Sequence, residues 1–344
     1  MLSIVIKLEV LLWKPHHIRL TSTELGGLWA NYIADSMFIC VYKYYLAKVE
    51  DDEIKQIIEH ALDLAQQHVQ VVTKIFNEEG HAVPLGFTEN DVHMDAPRLF
   101  SDEYFLSFTK HMTKGALVTY STILPHAFRN DMREHFMSCI SSTMELFNKT
   151  TNLLLSKGLE VRSPYIPYLQ EVDMVEKQHF LAGWWGKQRP LTAIEITHLY
   201  SNIQTNHMGT ALITGFGQVA KNDDIRDYFR RGKEIAKKQI QVFSKYLHDN
   251  DLPVPVTWDA EVQDITEPPF SDKLMLYMIS MMTAAGMGNY GTALSASPRR
   301  DLSADYVRLQ GEIGLYGEDG LNLQIKHAWM ERPPHATDRD QLMK

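Results

Sequence analysis

The chain repeats itself, and this internal duplication restricts the possible folds more than any other feature of the sequence. Residues 20–84 return as residues 191–255 without a gap, at an offset of 171 (191 − 20). Within this stretch Glu24 matches Glu195. A repeat of this length predicts two copies of one structural unit.

The later part of each copy is also shared, at an offset of 170 (270 − 100). Residues 100–102, with the sequence Phe-Ser-Asp, return as residues 270–272, and Tyr120 returns as Tyr290. Positions kept in both copies report the shared fold, whereas positions found in one copy report specialisation or drift. Each copy, at roughly 140 residues, is long enough to bury a core of its own.

Composition argues against several functions. The chain of 344 residues carries 34 Lys and Arg against 43 Asp and Glu, for a net charge of −9. We expect no nucleic-acid binding, because phosphate contacts need a basic surface. The two cysteines, Cys40 and Cys139, form no Cys-x-x-Cys pair and fit a reducing compartment. No apolar run reaches spanning length, so we expect a cytoplasmic protein without membrane contact, with spore association as the alternative location.

Each copy begins with a capping box, Thr21-x-x-Glu24 and Thr192-x-x-Glu195, which is typical of a helix start. Apolar residues then recur at helical spacing through two helices, an irregular segment follows, and two more helices complete the copy. In the first copy the irregular segment covers residues 79–98. A ferritin-type bundle has one long crossover of this kind between its second and third helices.

The sequence therefore predicts an all-α protein of two tandem ferritin-like four-helix bundles. Prolines, glycines and aromatic residues in the connector, Tyr165 and Trp185 among them, make it too apolar for a free linker, so we expect it to pack on both bundles, with a short helix near 172–180. The predicted parts are a poorly ordered leader (1–17), the first bundle (18–158), a connector (159–190), the second bundle (191–332) and a tail (333–344).

A ferritin-type fold raises the hypothesis of a dinuclear metal site, which needs glutamates on two helices and Glu-x-x-His on the other two. That ligand set is not found. Glu195-x-x-His198 has the spacing, but a capping role explains Glu195 better. A smaller, non-standard site for iron or manganese stays open as the alternative to a protein without a cofactor. Its candidate ligands are His60, Asp63, His68, His111 and His135 in the first copy, and His198, His207, Glu234 and Glu312 in the second.

Two glycine-rich stretches, residues 209–217 and 284–291, occur only in the second copy. Glycine inside a helix costs about 1 kcal/mol relative to alanine, so such stretches need an explanation. Close approach of two backbones is one interpretation, and a cavity for an apolar ligand is the other. The predicted pocket residues are Gly209, Gly215, Phe216, Met282, Gly286 and Tyr290.

Several strings along the chain resemble one family. The family is the uncharacterised domain of unknown function 3231 of spore-forming Bacillus-type bacteria, which is distantly similar to the spore coat protein F group. The resemblance covers residues 18–339 and implies two tandem ferritin-like bundles, but no activity, cofactor or catalytic residue. The strings are LTSTEL (20–25), APRLFSD (96–102), VEKQH (175–179), RPL (189–191), GFGQVA (215–220), PFSDKL (269–274) and NYGTAL (289–294).

Three functional hypotheses follow, and the sequence alone does not choose among them. The first is a non-enzymatic structural or interaction protein linked to sporulation or stress, with an unknown protein partner or a second copy of the chain. The second is a divergent metal-dependent oxidoreductase. The third is a binder of a small apolar ligand in the second bundle.

Overall fold

The computed structural model describes residues 18–184 and 188–344, so the predicted leader and Trp185 lie outside the described residues. Four long helices form the first copy as a four-helix bundle. The second and third are joined by a crossover that contains a 3₁₀ turn, Glu89–Asp91. The helices are α1 (Ser22–Lys48), α2 (Asp52–Glu78), α3 (Asp102–Ile123) and α4 (Asn130–Ser156).

The second copy repeats this arrangement, which confirms the all-α fold with two tandem bundles. A 3₁₀ turn, Asp259–Glu261, lies in its crossover, as in the first copy. Neither copy contains a strand within 18–184 or 188–344, and no helix in these ranges is both long and apolar enough to cross a membrane. The helices are α5 (Ala193–Val219), α6 (Asp223–His248), α7 (Asp272–Ala296), α8 (Arg300–Lys326) and a short α9 (Arg339–Leu342).

The predicted capping boxes are confirmed, and their glutamates do more than cap one helix. Glu24 is fully buried and accepts hydrogen bonds from the backbone of Thr21 at the start of α1. Its other oxygen accepts 2.8 Å bonds from the backbone amides of Phe128 and Arg129 at the start of α4. One carboxylate thus joins the beginnings of two helices, which fixes how the bundle closes.

The two copies pack against each other through their crossovers, with an internal two-fold relation. His93 N donates to Pro269 O at 2.8 Å, and the equivalent pair, Gln263 N to Leu99 O, measures 2.9 Å. The bonds from Ser271 N to Asp91 O and from Ser101 N to Glu261 O form a second equivalent pair, at 3.0 and 3.1 Å. Such reciprocal pairs are the signature of an isologous interface, here formed within one chain.

Aromatic side chains fill the space behind these hydrogen bonds. Tyr44 of the first copy packs edge-on against Phe270 of the second, with ring centroids 5.1 Å apart. The counterpart of Phe270 in the first copy is Phe100, which packs against Gly215, the counterpart of Tyr44. The ring centroids of Phe100 and Phe216 are 6.3 Å apart. One hydrophobic core therefore runs through both copies.

The expectation that the connector packs on both bundles is wrong for much of its described part. Tyr168 is 93% exposed and Val172 is 91% exposed. The only helical turn between residues 159 and 184 is a 3₁₀ turn, Gln178–Leu181, instead of the predicted helix near 172–180. Lys177 before this turn has an extended backbone conformation, so the helical geometry does not continue toward residue 172.

Candidate functional site

The first bundle contains a layer of polar side chains, contributed by all four helices, in the half of the bundle where α1 and α4 begin. His68 Nδ1 of α2 lies 3.1 Å from Asp35 Oδ2 of α1. Asn31 Nδ2 donates to Tyr120 Oη at 3.1 Å, and His135 Nε2 of α4 lies 2.9 Å from Asn31 Oδ1. This arrangement brings together two predicted candidates, His68 and His135, with ring centroids 6.3 Å apart.

The two histidines of this polar layer differ in charge: His68 is protonated at neutral pH and His135 is neutral. Burial would lower the pKa of His68, but hydrogen bonds that its ring donates to Asp35 and Cys139 raise it to about 10. Burial, together with the neighbouring charge of His68, lowers the pKa of His135 to about 4. Burial raises the pKa of the Asp35 carboxyl, while its interactions with His68 and Asn31 oppose that shift. The 3.1 Å contact favours the ionised pair, so at neutral pH the layer holds Asp35 with a charged His68 beside a neutral imidazole.

Sequence reasoning missed Asp35, Asn31 and Cys139 as members of this layer. Cys139 Sγ lies 3.7 Å from His135 Nε2. The repeat could have found Asn31 and Tyr120, because both return in the second copy. Across 18–184 and 188–344, no group of three or more His, Cys, Asp or Glu side chains has the geometry to hold a metal ion, and binding of iron or manganese stays a prediction.

The other candidate ligands of the first copy lie apart from this layer. His60 is half-buried on α2 near Glu145 and Lys149, and burial lowers its pKa. Asp63 is exposed to solvent. His111 lies on the side of α3 that faces the second copy, and burial lowers its pKa to about 3.

The candidate ligands of the second copy are also dispersed. Glu312 of α8 forms a 2.6 Å ion pair with Lys238 of α6, and Glu234 is exposed. His207 is buried on α5, and burial lowers its pKa. His198 lies near Lys114 of the first copy, and burial together with that charge lowers its pKa.

The second bundle replaces the ionic polar layer by neutral groups around a small cavity. Asn206 and Gln239 stand where the first copy has Asp35 and His68, and both bond to the Tyr290 hydroxyl, at 2.8 and 2.7 Å. The cavity measures about 70 Å³. A void this small accepts water molecules but is too small for an organic ligand of ordinary size. Of the predicted pocket residues it is lined by Gly209, Met282, Gly286 and Tyr290.

Gly215 and Phe216 do not line this cavity but belong to the interface between the copies. A Cβ atom on Gly215 would lie 2.6 Å from Phe100 Cζ, far inside van der Waals contact. A close contact therefore explains this glycine, but it is made with a side chain and not with the second helix backbone that the sequence analysis considered. The approaching group is a ring from the other copy, which the pattern of a single helix does not reveal.

A larger cleft of about 400 Å³ opens between the two copies. One wall is α3 of the first copy, and the opposite wall is α5 of the second, together with the start of the connector and part of the second crossover. The polar lining residues are Ser107, Lys110, His111, Lys114, Glu160, Tyr200 and Gln204, and the apolar ones are Phe147, Leu159, Val161, Met208, Pro255, Val256 and Trp258.

The charged groups of this cleft are held in fixed positions. Lys110 Nζ forms a 2.6 Å ion pair with Glu160, and Lys114 Nζ donates to Ser201 Oγ at 2.5 Å. Burial lowers the pKa of Lys114, and the neighbouring Lys110 lowers it further. The hydroxyl of Ser107 is buried and has no hydrogen-bond partner among the described residues.

The equivalent position in the other half of the molecule is filled with side chains. Tyr277 replaces Ser107, and its ring packs 5.1 Å from Phe87, the counterpart of Trp258. Glu331 replaces Val161 and accepts backbone hydrogen bonds from residues 85 and 86, at 2.8 and 2.6 Å. The duplication thus has one open cleft and one closed counterpart.

Comparison with known proteins identifies the family. The model of "Protein of unknown function (DUF3231)" matches residues 9–172 and 179–342. The uncharacterized protein YvdQ of Bacillus subtilis (strain 168) is 26% identical over 147 residues, which are 41% of this chain and 85% of that protein.

A crystal structure of a protein provisionally named a spore coat protein, from Bacillus halodurans C-125, aligns with a TM-score of 0.42 and 19% identity. It covers 45% of this chain and 100% of that one. Each of the two family matches contains one bundle, and together they span most of the sequence. The chain belongs to the DUF3231 family, as a tandem of two copies.

Proposed function

We propose that this protein is a non-enzymatic binding protein whose site is the cleft between the two copies. The observation that carries the proposal is the asymmetry between equivalent positions: the first is an open cleft of about 400 Å³, while Tyr277 occupies the second. A cleft of this volume with a mixed lining lies within the range of small-molecule sites. Binding rather than core packing explains why Ser107 leaves space that a tyrosine fills elsewhere.

The cleft residues favour binding over catalysis. A nucleophilic serine needs a base within hydrogen-bond reach, and the hydroxyl of Ser107 has no partner in the described chain. The low pKa of His111, about 3, keeps its imidazole neutral and a weak base near neutral pH. The lysines are engaged with Glu160 and Ser201.

The test uses the second copy as the template for closing the cleft. The variant Ser107→Tyr installs the side chain found at the equivalent position, so the fold has a precedent for it. We expect the fluorescent probe 1-anilinonaphthalene-8-sulfonate to lose one binding site per chain in Ser107→Tyr and to keep it in the control Ser107→Ala. A thermal unfolding curve checks that both variants are folded.

An unchanged probe titration in folded Ser107→Tyr would overturn the proposal. Probe bound to the exposed connector would be insensitive to both substitutions, so the difference between the variants isolates the cleft.

Protein binding through the connector is the second candidate function, and one observation favours it. Tyr168, Leu169 and Val172 are each more than 85% exposed, which is unusual for neighbouring large apolar side chains. We propose a second copy of the chain as the occupant, which is the homo-oligomer that the sequence left open. Light scattering after size exclusion should show a dimer that the triple serine variant of these residues loses, and a monomeric wild type would contradict it.

The location in the cytoplasm or the spore stays a prediction. So does the link to sporulation, because the alignment with the provisionally named coat protein is too weak to support it.

A further inference from the structure

We infer that the cleft selects an organic monoanion with an apolar body, and that Lys114 binds its charged group. This inference rests on the proposed binding function and adds the class of ligand and its orientation.

Among the described residues, the charges of the cleft leave the cation Lys114 without a counterion. The carboxylate of Glu160 neutralises Lys110 at 2.6 Å, whereas the partner of Lys114 is the uncharged hydroxyl of Ser201. His111 is neutral near pH 7. Lys114 is partly buried, and a cation withdrawn from water without a counter-charge is costly, so a single negative charge beside it would stabilise the site.

The cleft has a polar end and an apolar end. Lys114 and Ser201 meet at one end, where α3 of the first copy passes α5 of the second. At the other end, the Tyr104 hydroxyl donates to the backbone oxygen of Met208 at 3.3 Å, close to Ser107 on α3. Ser107 and Lys114 are seven residues apart on one face of α3, which corresponds to about 10 Å of helix.

A ligand that spans this distance would place its charged group beside Lys114 and its apolar part toward Ser107. The side chains of Met208 and Trp258 line the apolar end. The unpartnered hydroxyl of Ser107, whose residue is only 6% exposed, offers one hydrogen bond there. A long-chain carboxylate fits these features better than a compact anion, which would leave the apolar end unfilled.

The second copy has neither a lysine at the position of Lys114 nor an open cleft at the equivalent place. At the equivalent positions Lys110, His111 and Lys114 are replaced by Ser280, Met281 and Ala284. The cation at the Lys114 position and the open volume are therefore both absent from the closed counterpart, where a different cation, Lys273, lies over the Phe87 ring and donates to the backbone oxygen of Gly86. Their joint occurrence in the first copy is what a site for an apolar anion requires, and packing alone would not demand it.

The experiment compares three probes of equal chain length by isothermal titration calorimetry: decanoate, the neutral decanamide and the dianion decanedioate. We expect decanoate to bind once per chain. Decanamide should bind about tenfold more weakly, since it lacks a charge-assisted hydrogen bond. Decanedioate should also bind more weakly than decanoate, because the single hydroxyl of Ser107 cannot replace the water that a second carboxylate would lose beside Met208 and Trp258.

The variant Lys114→Gln should weaken decanoate binding by about tenfold or more and leave decanamide unchanged. Lys149→Gln, on the exposed surface of α4, is the control for the change in net charge. Equal binding of decanoate and decanamide, or an effect of Lys149→Gln as large as that of Lys114→Gln, would overturn the inference. If decanoate and decanamide bound equally but Ser107→Tyr abolished the binding of both, the cleft would still be a binding site, and only the assignment to an anion would fail. If decanoate binding survived Ser107→Tyr, both the proposed function and this inference would be overturned.

Discussion

The two copies share the residues that close a bundle and differ in the residues that fill its centre and its outer cleft. Glu24 and Glu195 are fully buried and make the same capping contacts. The polar layer, by contrast, is an ion pair in the first copy and a pair of amides in the second. The closing contacts therefore belong to the fold, and the central and cleft residues are where the copies have specialised.

The largest loss of stability is expected when only one of the two charged residues in the first polar layer is replaced by its counterpart from the second copy. His68→Gln leaves the buried Asp35 without its cation, and breaking a buried ion pair costs about 3–5 kcal/mol. The double variant Asp35→Asn/His68→Gln reproduces the pair of the second copy and should recover most of that loss. Urea unfolding measures both, and a double variant as unstable as the single one would show that the two layers are not interchangeable.

The charge state of His68 makes a separate prediction about pH. Its folded-state pKa, about 10, lies above the unfolded value of about 6.5, so its contribution is complete below pH 6.5 and is lost as the pH rises toward 10. The slope approaches about 1.4 kcal/mol per pH unit within this window. The double variant should lose this alkaline slope, and a wild type whose stability is flat from pH 7 to about pH 9 would contradict the ion pair.

The interface between the copies is tested at Gly215, where the first copy has Tyr44. Gly215→Ala places a methyl group 2.6 Å from the Phe100 ring and should destabilise the protein by about 1–3 kcal/mol. The control is Gly209→Ala on the same helix, where the nearest atom is 4.0 Å away. That variant should be neutral or more stable by up to about 1 kcal/mol, so equal unfolding midpoints for the two variants would argue against the close contact.

The smallest effect concerns the end of the fourth helix in each copy. Gly158 has φ of +69°, and its counterpart Ala328 has φ of +56°, a conformation that costs a residue with a Cβ atom about 1 kcal/mol. Ala328→Gly should therefore stabilise the second copy by about that amount, and Gly158→Ala should destabilise the first. Midpoints of thermal unfolding that shift in opposite directions for the two variants would support this account, and midpoints that shift in the same direction would contradict it.

Local chemistry explains what the sequence could predict. Capping boxes, helical spacing and the glycine at residue 158 act within a few residues, so the helices and their order follow from the pattern. The duplication predicted two bundles and marked Asn31 and Tyr120 as shared. Comparing the copies position by position at Ser107 and Tyr277 would have revealed the asymmetry of the cleft.

The rest depends on contacts between distant residues. The cleft is formed by helices α3 and α5, and nothing in either helix alone indicates that they face each other. The sequence singled out His111 and His198 as metal ligands, but the structure places both near Lys114 at the boundary between the copies. The ring that approaches Gly215 also comes from the other copy, so no reading of a single helix could have identified it.

The most direct test of the central claim is a crystal structure of the protein with 10-bromodecanoate, in which anomalous scattering locates the bromine. The account predicts one bromine per chain, near Met208 and Trp258, with the carboxylate at Lys114 and no bromine beside Tyr277. A bromine in the closed counterpart or along the exposed connector, with the cleft between α3 and α5 empty, would contradict it.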